Sequence, residues 1–180
     1  MQDFVHLHNH SDYSLLDGAS SISSLVGRAQ ALGMKHLALT DHGNMFGALK
    51  FYKTCKNAGI NPIIGCEFYV TTGSRHDRGS VERPAGSESS SRYNHLILLA
   101  RNSTGYHNLL ELTSLGYTEG FYYKPRIDHE LLEAHTEGLI CMSACLAGLI
   151  PQKLMHGQDS DALEIAGRYR ELFGKDGFFL

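Results

Sequence analysis

No stretch of this chain approaches the roughly 18 consecutive apolar residues that a membrane-spanning helix needs. The N-terminus, MQDFVHLHNHS, lacks a basic segment followed by an apolar one, so no secretory signal is expected. There is no basic excess either. Lys and Arg total 16 against 19 Asp and Glu, for a formal net charge of -3, whereas a stand-alone nucleic-acid binder would carry a positive surplus. No Cys-x-x-Cys pair occurs among Cys55, Cys66, Cys141 and Cys145, which excludes zinc-ribbon and thioredoxin motifs. A core of this size forms without disulfides, so the thiols are read as reduced and the compartment as cytoplasmic. No internal repeat is visible. With 42% hydrophobic and 19% charged residues, the composition is that of an ordinary globular chain rather than a disordered one. Histidine is the abundant exception, at 11 residues. His6, His8, His10, His36 and His42 all fall in the first quarter.

Apolar runs alternate with amphipathic ones. Strands are expected at 4–8, 36–40, 61–70, 95–100 and 138–143, with 177–180 opening a sixth. Helices are expected at 20–32, 46–58, 106–115 and 160–173. Ser20 and Ser21 can cap the first helix, and Gly33 ends it. This β-α alternation with near-continuous apolar strands predicts a parallel sheet covered by helices, open or closed as a barrel. Residues 71–93 are polar and aperiodic, which predicts a surface insertion. Its Arg75, Arg78 and Arg83 are read as a solvated loop in preference to a phosphate contact. The chain ends on Phe178, Phe179 and Leu180, an apolar strand just begun, and so reads as a piece of a larger protein.

His8-Asn9-His10 closes the first strand. Residues i and i+2 share a strand face about 6.6 Å apart along the chain, so two imidazoles there can converge on one ion at roughly 2.0–2.1 Å each. C-terminal strand ends are where α/β folds build active sites. The spacing alone is moderately specific, since two surface or hydrogen-bonded core histidines would look the same. The neighbouring strands argue otherwise. Thr40-Asp41-His42 closes the second strand, Glu67 sits in the third, His95 begins the fourth and Cys145 follows the fifth. Were these core residues, each would need a buried partner. Asp17, in Leu15-Leu16-Asp17-Gly18, can be a helix cap, a turn residue or a metal ligand. Asp41 is expected to orient a ligand histidine from behind. Asp12 reads as a turn or surface carboxylate. His6 reads as a hydrogen-bonded core histidine. His36 lies at the stability end of its strand. His76, His107, His129, His135 and His156 are taken as surface residues. Cys55 and Cys141 read as core, and Cys66 faces away from Glu67.

HLHNHSDYSLLDG, LALTDHGNMFG, GCEFYV, NHLILLA and MSACLAGLIP together resemble the PHP (polymerase and histidinol phosphatase) domain family. FYKTCKNAGI followed by PIIGCEFYV, and NSTGYHNLLELTSLGY at 102–117, resemble the branch found at the N-terminus of bacterial replicative DNA polymerases. The resemblance spans nearly the whole chain. It implies a distorted (β/α)7 barrel of PHP type over residues 1–180, truncated before its last strand. It also implies up to three divalent ions, zinc or manganese. Seven of the family's nine ligand positions are matched, by His8, His10, Asp17, His42, Glu67, His95 and Cys145. By the family arrangement, His8, His10 and Glu67 would hold one ion. Glu67 would share a second with His95 and Cys145, and Asp17 and His42 would hold a third. The family's closing Asp-x-His is not present before Leu180, so a fragment ending there is expected to be weak or inactive. The implied activity is a metal-dependent 3′–5′ exonuclease attached to a DNA-directed DNA polymerase. Nucleotidyl transfer would use Mg2+ in a domain outside this chain. The implied partners are DNA, a proofreading exonuclease subunit and a sliding clamp, with no membrane. Two other readings are a stand-alone phosphatase of the histidinol-phosphatase type and a non-catalytic interaction module, which would bind little metal.

Overall fold

The computed structural model describes residues 4–78 and 93–180. Helices α1 (Ile22–Ala31) and α2 (Ala48–Asn57) alternate with strands β1 (His36–Leu39) and β2 (Asn61–Val70). There follow β3 (Asn94–Ala100), α3 (Ser103–Thr118), β4 (Arg126–Ile127), α4 (His129–Glu133) and β5 (Leu139–Met142). Helices α5 (Leu149–Met155) and α6 (Asp159–Phe173) then lead to β6 (Phe178–Phe179). The caps follow local chemistry. Ser21 accepts a hydrogen bond from the Ser24 amide to start α1, and Gly33, at φ 71°, ends it in the left-handed region where a side chain is disfavoured. Asn102 caps α3, which is longer than the apolar stripe at 106–115 predicts because the cap lies three residues further upstream. None of the described helices is long and apolar enough to cross a membrane.

The sheet runs β1-β2-β3-β5-β6, with β4 also on β2. It is mixed, which corrects the all-parallel expectation. β1 and β4 pair with β2 in parallel, and so does β6 with β5, whereas β3 runs antiparallel to both β2 and β5. β3 begins beside the end of β2, with Asn94 paired to Val70, and runs back along it.

The expected strand at 4–8 is a second correction, because these residues form no regular strand. The Ala38 amide bonds the His6 carbonyl at 3.1 Å and the Thr40 amide bonds the Asn9 carbonyl at 2.9 Å. Two residues on β1 thus oppose three on the N-terminal segment, a bulge-like mismatch. The Asn9 side chain fills the gap by donating to the carbonyls of His6 and Ala38.

Two apolar clusters fix the layers. Ile22, Val26, Phe51, Cys55 and Ile60 join Leu37 and Leu39 between α1, α2 and β1. Cys66, Phe68, Leu96, Leu98 and Cys141 meet Leu109, Leu112 and Leu132 from the helices on one sheet face. Strand alternation therefore turns Glu67, Tyr69 and His95 to the opposite face. Cys55, Cys66 and Cys141 are buried free thiols, in keeping with their core reading.

Gly105 marks the closest approach of α3 to the loop before β5. A Cβ there would stand 1.9 Å from the Gly138 carbonyl oxygen. Gly105→Ala is expected to cost about 2 kcal/mol or more, as overpacking does, read as a lower denaturation midpoint at unchanged slope. A cost below about 0.5 kcal/mol would mean the loop gives way freely.

The root of the polar insertion is anchored, not solvated. Arg75 Nε reaches Glu119 at 2.7 Å, and its Nη1 reaches both oxygens of Asp128 at 3.0 and 3.1 Å. Arg126, 3% exposed, donates to the carbonyls of Arg75 and Asp77. Arg78 is exposed. Arg83, and the reading of 79–92 as a surface excursion, lie outside the described residues. Burial alone would raise the Asp128 carboxyl, but the amides of Arg75 and Leu131 and the Arg75 charge hold it below its ordinary value. Its stabilisation is therefore present above the unfolded carboxyl's pKa, near 3.9, and lost as pH falls through the lower folded value. Asp128→Asn should lower stability at neutral pH and flatten the decline below about pH 4. Parallel acid-denaturation curves for the two proteins would contradict this.

Candidate metal centre

Glu67, fully buried, is the hub. Its Oε1 lies 2.9 Å from His95 Nδ1 and 3.3 Å from His8 Nε2. Its Oε2 lies 2.6 Å from His42 Nδ1 and 3.3 Å from His10 Nε2. The Nε2 atoms of His8 and His10 are 3.1 Å apart. Two overlapping triplets therefore offer converging donor atoms, His8–His10–Glu67 and His42–Glu67–His95.

The backbone explains the convergence. Residues 40–43 extend β1 alongside β2, with the Glu67 amide on the Asp41 carbonyl at 3.1 Å and the Gly43 amide on the Glu67 carbonyl at 2.8 Å. This sets His42 beside Glu67. His95 opens β3, and in a parallel sheet that would put it at the far end. The reversal of β3 brings it opposite Tyr69, diagonal to Glu67. Cys145 follows a tight turn at Ala144, whose φ is 65°. Its Sγ stands 3.7 Å from His95 Nδ1 and 3.9 Å from Glu67 Oε1, at the exposed rim.

Asp17 is half exposed, and its Oδ2 lies 2.8 Å from His42 Nε2. The helix cap is Ser21, so the capping alternative for Asp17 falls away. Asp41 corrects its expected role. Its carboxylate accepts from the Ser11 amide at 2.6 Å, the Ser11 hydroxyl at 2.8 Å and the Ser14 hydroxyl at 2.8 Å, whereas no imidazole is among its hydrogen-bond partners in the described residues. The Ser14 Oγ in turn accepts from the His42 amide at 3.1 Å. Asp41 thus holds the backbone of the 11–18 loop and of His42, because the buried charge finds closer donors in two serines than in any ring.

The electrostatics are those of a shared anion among imidazoles. Burial alone would raise the Glu67 carboxyl, but the rings of His42, His8 and His95 hold it well below the carboxylate range. Burial works against a charged His42, and Glu67 and Asp17 more than offset it. Burial and the neighbouring His42 lower His10. Hydrogen bonds do not account for the whole cluster. Glu67 Oε2 and His42 Nδ1 face each other at 2.6 Å, whereas His10 Nδ1 is buried with no hydrogen-bond partner among the described residues. His8 Nε2 and His10 Nε2 converge on the Glu67 carboxylate at 3.1–3.3 Å, and imidazole with carboxylate is a donor set that zinc and manganese take. The residues present therefore fit a divalent metal.

Other histidines depart from expectation. His6 is exposed and packs edge-on against Phe4, because the N-terminal segment lies outside the core. His129 and His135 are half-buried, held against Tyr169 and bonded to the Leu131 carbonyl respectively, since α4 tucks under α6 and α3. His36, His76, His107 and His156 are exposed, as is Asp12. Tyr69 was missed as a site residue. It is 5% exposed and its ring stacks over His42 at 6.1 Å. The signal was available, since Tyr69 is two residues after Glu67 and shares its face.

The sequence profile of the PHP domain matches residues 6–180. The DNA polymerase III subunit alpha of Treponema pallidum is 58% identical over 177 residues, covering 98% of this chain and 15% of that protein. The same subunit of Borreliella burgdorferi is 51% identical over 177 residues, with 98% and 15% covered. That of Aquifex aeolicus is 48% identical over 176 residues, with 97% and 15% covered. The chain thus spans about 15% of the length of these curated relatives. Among solved structures, a presumed metal-dependent phosphoesterase from Bifidobacterium adolescentis superposes with a TM-score of 0.43 at 15% identity, over 63% of this chain and 33% of that one.

Proposed function

The chain belongs to the PHP domain family, and from that premise we propose that it is the N-terminal PHP domain of a bacterial DNA polymerase III alpha subunit, working as a metal-dependent phosphoesterase. The parent would be a replicative DNA-directed DNA polymerase of the cytoplasm, with Mg2+-dependent nucleotidyl transfer in a separate domain. Its partners would be DNA, a proofreading exonuclease subunit and a sliding clamp. The mixed sheet is read as the larger part of a distorted (β/α)7 barrel, with 1–180 as one domain. Curvature of the sheet supports this. Val5 and Leu7, beside β1 at one edge, line a cavity together with Met142 and Leu180 from the other.

The observation that carries the reading is the buried Glu67 carboxylate ringed by four imidazoles, in two overlapping triplets of converging donor atoms. His8, His10, Asp17, His42, Glu67, His95 and Cys145 would hold zinc or manganese, up to three ions. Such ions supply a bound water of near-neutral pKa and charge to neutralise phosphate oxygens. The protein's own groups do the positioning. Glu67 bridges the two triplets. Asp17 fixes the outer nitrogen of His42. Asp41, through Ser11 and Ser14, keeps the loop bearing Asp17 closed on the site. The reaction proposed is 3′–5′ removal of nucleotides from single-stranded DNA.

The test uses the full-length polymerase subunit with Mn2+ and a 5′-labelled oligonucleotide. Stepwise 3′ shortening is expected in the wild type and its loss in Glu67→Gln, with primer extension retained. Equal shortening by both proteins would refute the proposal.

A further inference from the structure

A cavity of about 540 Å3 opens from the Glu67 cluster, sharing Asp17, His42 and His95 with it. Its far wall is aromatic and exposed. Phe46 is 67% exposed, Tyr117 39% and Phe121 47%. The Tyr117 and Phe121 rings lie 6.1 Å apart and nearly parallel, at 19°, and the Phe46 ring lies 6.1 Å from that of Tyr117, tilted by 39°. Tyr123 follows at φ 61°, a conformation that costs a non-glycine residue energy and that clusters at functional sites. Lys124 at the rim reaches over the Tyr69 ring at 5.3 Å. Large exposed rings are seldom left in such a row on a surface with no ligand.

We infer that Phe46, Tyr117 and Phe121 form a stacking wall for the terminal base of an unpaired DNA strand whose phosphodiester lies on the Glu67 cluster. The inference rests on the phosphoesterase reading for the position of the phosphate. The occupant follows from continuity of the wall with that cluster. A nucleotide needs an anion site and a flat apolar face a few ångströms apart, and both open onto this one cavity. A small phosphate ester without a base would leave the wall uncovered. Stacking tolerates any base and disfavours a paired end, whose base must first unpair at a cost of about a few kcal/mol.

The experiment uses the full-length subunit and a single-stranded oligonucleotide carrying 5-iodouracil at its 3′ end. Irradiation is expected to crosslink that base to the peptide containing residues 117–123. Phe121→Ala should reduce the yield roughly tenfold or more, as loss of one base–aromatic stack does, while Phe121→Trp keeps it. Phe121→Leu should behave like Ala. Full yield in Leu, an unchanged yield in Ala, or crosslinks only elsewhere, as would follow if another protein segment covers the wall, overturns the inference. Crosslinking is read in Glu67→Gln as well as in wild type. A crosslink at 117–123 combined with hydrolysis indifferent to Glu67→Gln would sink the phosphoesterase reading and keep the wall. Hydrolysis lost in Glu67→Gln without that crosslink would do the reverse.

Discussion

Glu67→Gln should abolish metal-dependent stabilisation of the fold. A divalent ion held at 100 times its dissociation constant adds about 2.7 kcal/mol, which for a chain of this size raises the melting temperature by roughly 5–10 °C. The amide keeps the shape of the carboxylate but loses its charge and one acceptor. Because Glu67 contributes to both donor triplets, both should weaken together, by at least roughly the 100-fold that loss of outer support can cost. Paired melting curves with EDTA and with Zn2+ or Mn2+ check this. The wild type should shift and the variant should not. A variant that retains the full shift would mean that the ions stabilise the chain elsewhere.

Asp41→Ala should be the most damaging change outside the donor set. The residue is 2% exposed, and its carboxylate receives three hydrogen bonds. Hydrogen bonds to a charged group contribute about 1.5–3 kcal/mol each. Some of that returns when the serines rotate toward water, so a net loss of roughly 3–5 kcal/mol is expected. The damage should be local before it is global. Amide exchange should speed up across residues 11–18 and at His42, with α6 still protected in mild conditions. A loss under about 1 kcal/mol would mean that the loop is held by its own turns.

Much of this was legible in the residues. β2 was readable to its ends because PIIGCEFYV is bounded by Gly59 and by the polar run after Val70. The α1 boundaries were readable from Ser21 and Gly33. The donor residues stood out because charged or polar groups at successive strand ends have no packing explanation. Strand direction was not legible, since the apolar pattern of NHLILLA is the same read either way. The placement of His95 therefore depended on a reversal that only the connection decides. The short elements β4, α4 and α5 carry too few residues to show a period. The N-terminal segment was apolar enough for a strand, but Asn9 spends its side chain on the carbonyls that a ladder would use. Asp41 reads as a supporting residue from its place beside His42, but the serines through which it acts, Ser11 and Ser14, lie some 30 positions away in the chain. The aromatic wall joins Phe46 from the loop before α2 to Tyr117 and Phe121 around the end of α3, a meeting that no local pattern records.

The central claim is that the Glu67 cluster is a metal centre, and anomalous diffraction from crystals grown with Mn2+ or Zn2+ tests it most directly. Anomalous peaks are expected at roughly 2.0–2.3 Å from Glu67 oxygens and from the imidazole nitrogens of His8, His10, His42 or His95. Data collected at the metal edge with no peak within coordination distance of Glu67, from protein in the same fold, would contradict it.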